Sequence, residues 1–291
     1  MNKKEIHKLL ETKDDDLLFR FPGYSRGELR KLKRKETLKE ETELKAPKIL
    51  IWDIETAPLL TVCWGLFEQN IQPAQVINDG FVLSWAAKWL REPKIIHDRI
   101  TGKEARHQND KRILTVLWKL LDAADIVVGH NIDRFDIKKV NAKFIEYDMK
   151  LPSPYLTVDT LKQVKKISTF TSHKLDYLLQ RFKMPHKIDT GGLELWKKCR
   201  LGDEHALEVM DRYCRNDVLI TEQLYSYLRP YIQHPNMGLY LEQEVCPNCG
   251  SQKITWSGTV MTQSQVYEQG RCECGKNVRR AKGLRKNKLL K

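Results

Sequence analysis

The sequence predicts an α/β protein with a mixed central sheet flanked by helices, a helical extension before it and a small cysteine-rich module after it. Three observations carry this. Over residues 47–232, short apolar runs come first and then alternate with amphipathic helical stretches, the order of an α/β sandwich. Residues 1–46 are rich in Lys, Glu and Leu and show no strand periodicity. From residue 240 onward, two close cysteine pairs stand in a segment too small to be held by an apolar core alone.

The elements follow in order. Residues 1–46 read as two helical stretches broken at Phe21, Pro22, Gly23 and Tyr24, with Ser25 placed to cap a basic second helix through Lys35. A charged helical extension fits this composition, and a helix-turn-helix DNA reader is the sharper alternative. Residues 48–54 read as a buried strand, and 61–67, 81–90 and 94–100 as further strands, antiparallel to their neighbours. Trp64, Trp85 and Trp89 fall within these strands, where aromatic side chains belong to the core more often than they stack on bases. A helix is expected over 110–124, a short strand over 126–129 and a helix over 135–149. Shorter helices follow Asp159 and Ser172, and a long last helix spans 203–228, stopped by Pro230. No internal repeat is present.

Composition narrows the function. The chain has 291 residues, 41% hydrophobic and 31% charged, so it can bury one core of about 200 residues with small appendages. No run approaches the roughly 18 consecutive apolar residues of a membrane helix. The start lacks a secretory apolar stretch, and a cytoplasmic location is the expectation. Lys plus Arg number 51 against 38 Asp plus Glu, a net charge of +13, which favours polyanionic partners. Residues 276–291 hold eight basic side chains and no acid, as either a solvated tail or an arm that contacts phosphates.

Five acids stand out. Asp53 and Glu55 end the first strand, and alternate strand residues share a face. Two carboxylates so placed either bracket a cation or fray into solvent. Asp133 and Asp136 open the helix after the 126–129 strand, where each would equally serve as a cap. His130 fits a hydrogen-bonded structural histidine better than a catalyst. On the last helix Ala206, Met210, Tyr213, Asp217, Ile220, Leu224 and Leu228 form one stripe, apolar except for Asp217 and the tyrosine hydroxyl. An acid on the core-facing side needs a partner, either a cation or a structural salt bridge to Arg or Lys. Taken together, oxygen-only ligands from three distant segments suit two Mg²⁺ or Mn²⁺ ions and phosphodiester hydrolysis without a covalent nucleophile.

Asp53-Ile54-Glu55, Asn131-x-x-x-Phe135-Asp136 and Tyr213-Cys214-x-x-Asp217-Val218 closely resemble the three motifs of the DEDD 3′-5′ exonuclease superfamily, in its DnaQ-like branch. Tyrosine four residues before the last acid resembles the DEDDy subgroup, which includes proofreading domains of family B DNA polymerases. The histidine subgroup would carry His at position 212, which is Arg212. The resemblance covers residues 47–232 and implies a ribonuclease H-like mixed sheet flanked by helices. It implies that Asp53 bridges both metals, that Glu55 and Asp217 hold the ion activating water, and that Asp136 serves the second ion. It further implies that Tyr213 orients that water, since a free tyrosine with a pKa of about 10 is a poor base. Asn131 and Phe135 would contact the terminal nucleotide, and Asp159 would support the ligands or cap a helix. The 291 residues hold no polymerase segment, and Trp64-Gly65-Leu66 with residues 84–89 resembles stand-alone exonucleases of the kind phages encode, acting in the host cytoplasm.

Seven cysteines without an export signal argue against disulfides. Cys63, Cys199 and Cys214 read as ordinary buried residues. Cys246-Pro247-Asn248-Cys249-Gly250 and Cys272-Glu273-Cys274-Gly275 read as two knuckles of a zinc ribbon holding one structural Zn²⁺, with 254–256 and 266–267 as its small sheet. The second knuckle departs from the usual Cys-x-x-Cys, which leaves His234 as a distant fallback ligand. With Arg271, Arg279 and Arg280 nearby, nucleic acid is the expected partner of the ribbon, with protein docking as the alternative.

The expected organisation is therefore a charged extension over 1–46, an exonuclease domain over 47–232, a zinc ribbon over 240–283 and a basic tail over 284–291. The expected activity is release of nucleoside 5′-monophosphates from the 3′ end of DNA, preferably single-stranded, with a replication or repair protein as a further partner. The rivals are a 3′-5′ exoribonuclease, an inactive nuclease fold serving as a nucleic-acid-binding or assembly protein, and a transposase or integrase that cuts internally.

Overall fold

The computed structural model describes residues 46–241 and 244–286, together with residues 5, 8, 9, 11, 12, 21, 24, 25 and 27–33. Two compact units form: Met1–Ala46 with Leu239–Gln243, and Pro47–Gly238 with Glu244–Lys291. In the first, residues 27–33 are helical and begin on a capping box. The Ser25 backbone N–H donates to Glu28 Oε2 (2.9 Å) and the Glu28 N–H to Ser25 Oγ (3.3 Å), pairing two donors that the helix start leaves unpaired. Leu9, Phe21 and Leu29 are buried together, with Leu32 against them. The helix beyond residue 33 and most of the helix-turn-helix reading lie outside the described residues, as does the end of the basic tail, 287–291.

The second unit is built on a five-stranded mixed sheet. β1 (Ile49–Thr56) is the third strand and carries the first acid pair. A short pair, β2 (Leu60–Thr61) with β3 (Val76–Asn78), stands apart from the sheet. The strand expected over 61–67 is thus cut to Thr61, with the Val62 N–H still on the Gln75 carbonyl (2.9 Å), because no strand among the described residues pairs with 63–67. β4 (Val82–Trp89) and β5 (Ile95–Arg99) then add antiparallel on one side of β1. After α1 (Gly102–Arg106) and α2 (Lys111–Asp122), β6 (Ile126–Gly129) adds parallel to β1 on its other side. α3 (Asp136–Glu146) leads to β7 (Leu156–Asp159), parallel to β6 and completing the order β5-β4-β1-β6-β7. β1, β4 and β6 are largely apolar on both faces because helices cover both faces of the sheet centre.

α4 (Thr160–Ile167), α5 (Leu175–Arg181) and α6 (Leu193–Arg200) precede the long α7 (Glu204–Leu228), which packs on β1 and β4. Asp203 caps α7 by accepting the Ala206 N–H at 2.9 Å. All seven residues of the expected stripe are buried, from Ala206 to Leu228. Trp85 is fully buried with its Nε1–H on the Ile113 carbonyl (2.9 Å), and Trp89 packs against the same core. Trp64 breaks this pattern at 98% exposure.

The cysteine-rich module follows. β8 (Ile254–Met261) pairs with β9 (Gln265–Cys272), whose other edge takes β10 (Asn277–Arg279) and β11 (Arg285–Lys286), all antiparallel. Two bonds tie it to the chain just after α7: Arg229 Nε–H to the Asn248 carbonyl (3.1 Å) and Lys276 Nζ to the Ile232 carbonyl (2.9 Å).

Candidate active site and cysteine cluster

β1 delivers Asp53 and Glu55 to one face, and α7 lies across that face with Asp217 pointing inward. One carboxylate oxygen from each of these three lies within 4.8 Å of the others. Asp136 reaches the same region differently from the cap that its sequence position admits. Its Oδ1 accepts the buried N–H of Ile54, between Asp53 and Glu55, at 3.2 Å. It is outside the tight group of three, yet its charge is the largest repulsion on Asp53.

Electrostatics follow from burial. Desolvation first, then repulsion from Asp136, Asp217 and Glu55, holds the Asp53 carboxyl well above the usual range. Glu55 is pushed up to about 8 and Asp136 to about 7, both chiefly by burial. Asp217 is raised by burial and pulled back by Lys187. A group of acids that resists ionising on its own is a group that lacks positive charge. Asp217 Oδ1 is buried with no hydrogen-bond partner among the described residues, which would be costly unless a cation completes it. Hard oxygen donors, mutual repulsion and an orphaned oxygen fit a divalent cation of the Mg²⁺ class.

Two residues absent from the sequence reading stand in this pocket. Lys187, in the loop between α5 and α6, donates from Nζ to Asp217 Oδ2 and to the Tyr213 hydroxyl (2.8 Å). The salt-bridge alternative for Asp217 is therefore present beside the acid cluster. Trp196 of α6 donates from Nε1 to Glu55 Oε2 (3.3 Å) and stands edge-on to Tyr213, ring centroids 5.9 Å apart. Neither follows an acid motif or a burial stripe, so no local pattern marks them. Tyr213 itself is buried, its hydroxyl raised to about 12 by burial and the Asp217 charge, which favours orienting a neighbour over accepting a proton.

The turn after β6 positions the middle motif. Asn131 takes a positive φ of 75°, and its carbonyl accepts the Phe135 N–H at 3.1 Å. Asp159 holds this turn by accepting the N–H groups of Asn131 (3.0 Å) and Asp133 (3.3 Å), and caps α4 through the Lys162 N–H (3.2 Å). Asp133 faces Lys162 Nζ at 3.2 Å rather than the acid cluster. Phe135, next to the buried Asp136, is 38% exposed, with Lys139 Nζ over its ring 5.8 Å from the centroid. His130 is held by Thr160 Oγ1 (2.9 Å) and the His173 carbonyl (3.0 Å), and burial lowers it to about 4. The carbonyl only accepts, so Nε2 carries the proton and the neutral ring is structural.

The four cysteines Cys246, Cys249, Cys272 and Cys274 converge, their sulfurs all within 4.8 Å of one another. Cys246 and Cys274 sulfurs are 3.9 Å apart and those of Cys249 and Cys272 3.5 Å. Four thiolates about 2.3 Å from one tetrahedral ion would be about 3.8 Å apart, so the cluster fits zinc and is far from disulfide contact. The shorter second knuckle closes through the Gly275 N–H on the Cys272 carbonyl (2.9 Å), with Gly275 at φ 87°. The fallback His234 is engaged elsewhere, with Nε2 at 2.5 Å from the Tyr225 hydroxyl. Cys199 and Cys214 are buried as expected of them, whereas Cys63 is exposed on the segment carrying Trp64.

Residues 93–229 match the model of the RNase_H superfamily, and the sheet with its flanking helices has an RNase H-like fold. The matched span includes Asp136, Tyr213 and Asp217 and begins after Asp53 and Glu55. Among solved structures, the chain is similar to the family B DNA polymerase from the hyperthermophilic archaeon Pyrobaculum calidifontis, at 17% identity and a TM-score of 0.48. That similarity spans 64% of this chain and 25% of the polymerase chain. No curated protein matches the sequence. Among the described residues, no helix is long and apolar enough to cross a membrane.

Proposed function

We propose that the chain is a divalent-metal-dependent 3′-5′ exonuclease of the DEDDy kind, which releases nucleoside 5′-monophosphates from the 3′ end of DNA. The observation that carries this reading is the meeting of Asp53, Glu55 and Asp217 oxygens within 4.8 Å, with Asp136 on the intervening backbone amide and Tyr213 one turn before Asp217. Asp53, Glu55, Asp136 and Asp217 would hold two Mg²⁺ or Mn²⁺ ions. Such ions, when bound, neutralise the charge that develops on the attacking and leaving oxygens of a phosphodiester.

The protein's own groups do the rest. Tyr213, its hydroxyl kept protonated and held by Lys187, orients the attacking water by hydrogen bonding. Trp196 fixes the Glu55 carboxylate, and the pairing of Asp136 with the Ile54 N–H keeps this acid beside β1. Asn131 and Phe135 would contact the terminal nucleotide. The ribbon, residues 240–283, holds one structural Zn²⁺ on Cys246, Cys249, Cys272 and Cys274 and offers a basic nucleic-acid surface. The catalytic domain is residues 47–232, preceded by an extension over 1–46 and ending with a basic tail over 284–291.

The test is digestion of 5′- and 3′-labelled single- and double-stranded DNA, RNA of the same sequence, and circular DNA, with and without Mg²⁺. Stepwise shortening from the 3′ end of DNA is expected, lost in Asp53→Ala and Asp217→Ala without loss of the folded state. Faster trimming of RNA would reassign the substrate, and cutting of the circle would replace the exonuclease with an internally cutting enzyme. No Mg²⁺-dependent hydrolysis of any substrate would leave an inactive nuclease fold.

A further inference from the structure

Between β1 and β4 the chain leaves the sheet as a finger, residues 57–80, whose tip is apolar and uncovered. Trp64 is 98% exposed, Leu66 91% and Phe67 84%. Scattered apolar residues on a surface are ordinary, whereas a contiguous group of large ones marks a place of contact. The stem is tied internally as well. The Val62 N–H donates to the Gln75 carbonyl (2.9 Å), and Gln75 Nε2 donates to the Val62 carbonyl (3.0 Å).

The root of the finger is joined to the acid pocket by one helix. Arg200 of α6 donates from Nη1 to the carbonyls of Pro58 (2.7 Å) and Asp79 (3.2 Å), closing the two ends of the finger. One turn earlier on α6, Trp196 touches Glu55 and Tyr213. The finger also begins two residues after Glu55 on the same strand. The finger is therefore rooted beside the pocket.

Charge identifies the occupant. Residues 56–67 contain no Asp, Glu, Lys, Arg or His, so the tip offers aromatic and aliphatic faces alone. The turn of α6 beside the root presents Lys198 and Lys197, both exposed, the latter 3.8 Å from Glu194 across the helix surface. Apolar faces for bases next to cations for phosphates are what an unpaired polynucleotide needs, because every base has a stackable face whatever its sequence. Resting on the nuclease reading, we infer that Trp64 and Phe67 form a stacking platform for unpaired nucleobases of the strand whose 3′ end occupies the acid pocket.

The experiment measures binding of the full chain to a fluorescent oligothymidylate and to an oligonucleotide of equal length with abasic sites, in magnesium-free buffer by anisotropy. Trp64→Ala is expected to weaken oligothymidylate binding roughly tenfold, about the loss of one stacked base. Trp64→Phe restores most of it, and the abasic strand binds both forms equally. Hydrolysis of thymidine 5′-p-nitrophenyl phosphate with Mg²⁺, which has no neighbouring base to stack, is unchanged in Trp64→Ala. A wild-type protein that hydrolyses this diester, with Trp64→Ala and Phe67→Ala binding oligothymidylate as tightly as the wild type, overturns the platform alone. Equal loss on the abasic strand overturns it too. In either case, a wild-type dimer in sedimentation that Trp64→Ala dissociates assigns the finger to a second copy of the chain. No hydrolysis of the diester and no binding of either strand overturns the nuclease reading and the platform with it.

Discussion

Omitting divalent cations is expected to make the protein lose stability as pH rises from 6.5 to 8. Burial raises Glu55 from 4.5 to about 8 and Asp136 from 3.8 to about 7, so the folded state keeps two protons that the unfolded chain has already released. A raised folded value means stability that is fully present below the unfolded value and lost as pH climbs through the folded one. Two histidines act in the opposite sense: burial lowers His130 and His234 from 6.5 to about 4, and their contribution grows as pH rises between those values. Below pH 6.5 the two pairs largely offset each other. At pH 6.5 the unfolded rings are still half charged, so the histidines give back a few-fold up to about pH 7.5, and above that the acids act alone.

Each uncompensated proton changes the unfolding equilibrium tenfold per pH unit. Asp136 acts over about half a unit above 6.5 and Glu55 over about one and a half, which together is roughly a hundredfold; the remaining histidine titration offsets about fourfold of this, leaving about 2 kcal/mol. For a domain of this size that corresponds to a fall in Tm of roughly 4–8 °C. Asp53, raised well above its ordinary value by burial and its acidic neighbours, acts in the same sense. The assay is calorimetry between pH 6 and 8.5 in magnesium-free buffer with zinc retained, repeated with Mg²⁺ and with Glu55→Gln. Both additions are expected to flatten the slope. A Tm that stays level or rises between pH 6.5 and 8 without Mg²⁺, or one that falls equally with it, would refute the argument that these acids form one charge-deficient pocket.

Three further outcomes are expected. Tyr213→Phe removes the hydroxyl that Lys187 holds at 2.8 Å, and should slow hydrolysis roughly tenfold to a hundredfold while DNA affinity stays near that of the wild type; equal turnover would reject the orienting role. Thiol modification of the wild type should release one zinc per chain, and Cys272→Ser should lose hydrogen-exchange protection in the ribbon but keep it in the five-stranded sheet; a zinc-free wild type would dismiss the assignment. At Gly129, a Cβ would overlap the Ile132 side chain and lie 3.0 Å from the Trp52 carbonyl, so Gly129→Ala should cost about 1–3 kcal/mol in urea unfolding. Wild-type stability there would show that the turn carrying Asn131 is looser than its packing indicates.

Where periodicity reports a buried face, the structure was legible in advance. The stripe on α7, from Ala206 to Leu228, follows from spacing alone because a helix repeats its faces every 3.6 residues. The same logic places Asp53 and Glu55 on one side of β1, and the cysteine spacing marks the cluster at 246–274. Periodicity fails where apolar residues have nothing to pack against: 61–67 reads as a strand, yet only Thr61 and Val62 pair and Trp64 stands in solvent.

The sequence by itself determined which faces carry acids, which helix buries one, and where thiols gather, because these depend on neighbours within a few residues. Only the tertiary structure decided that Asp136 turns to the Ile54 amide instead of capping its own helix. It also brought Lys187 to Asp217 across 30 positions of the chain and Trp196 to Glu55 across 141. Contacts over such separations depend on how the loop after α5 and the helix α6 fold back onto the sheet, and no pattern of neighbouring residues encodes that.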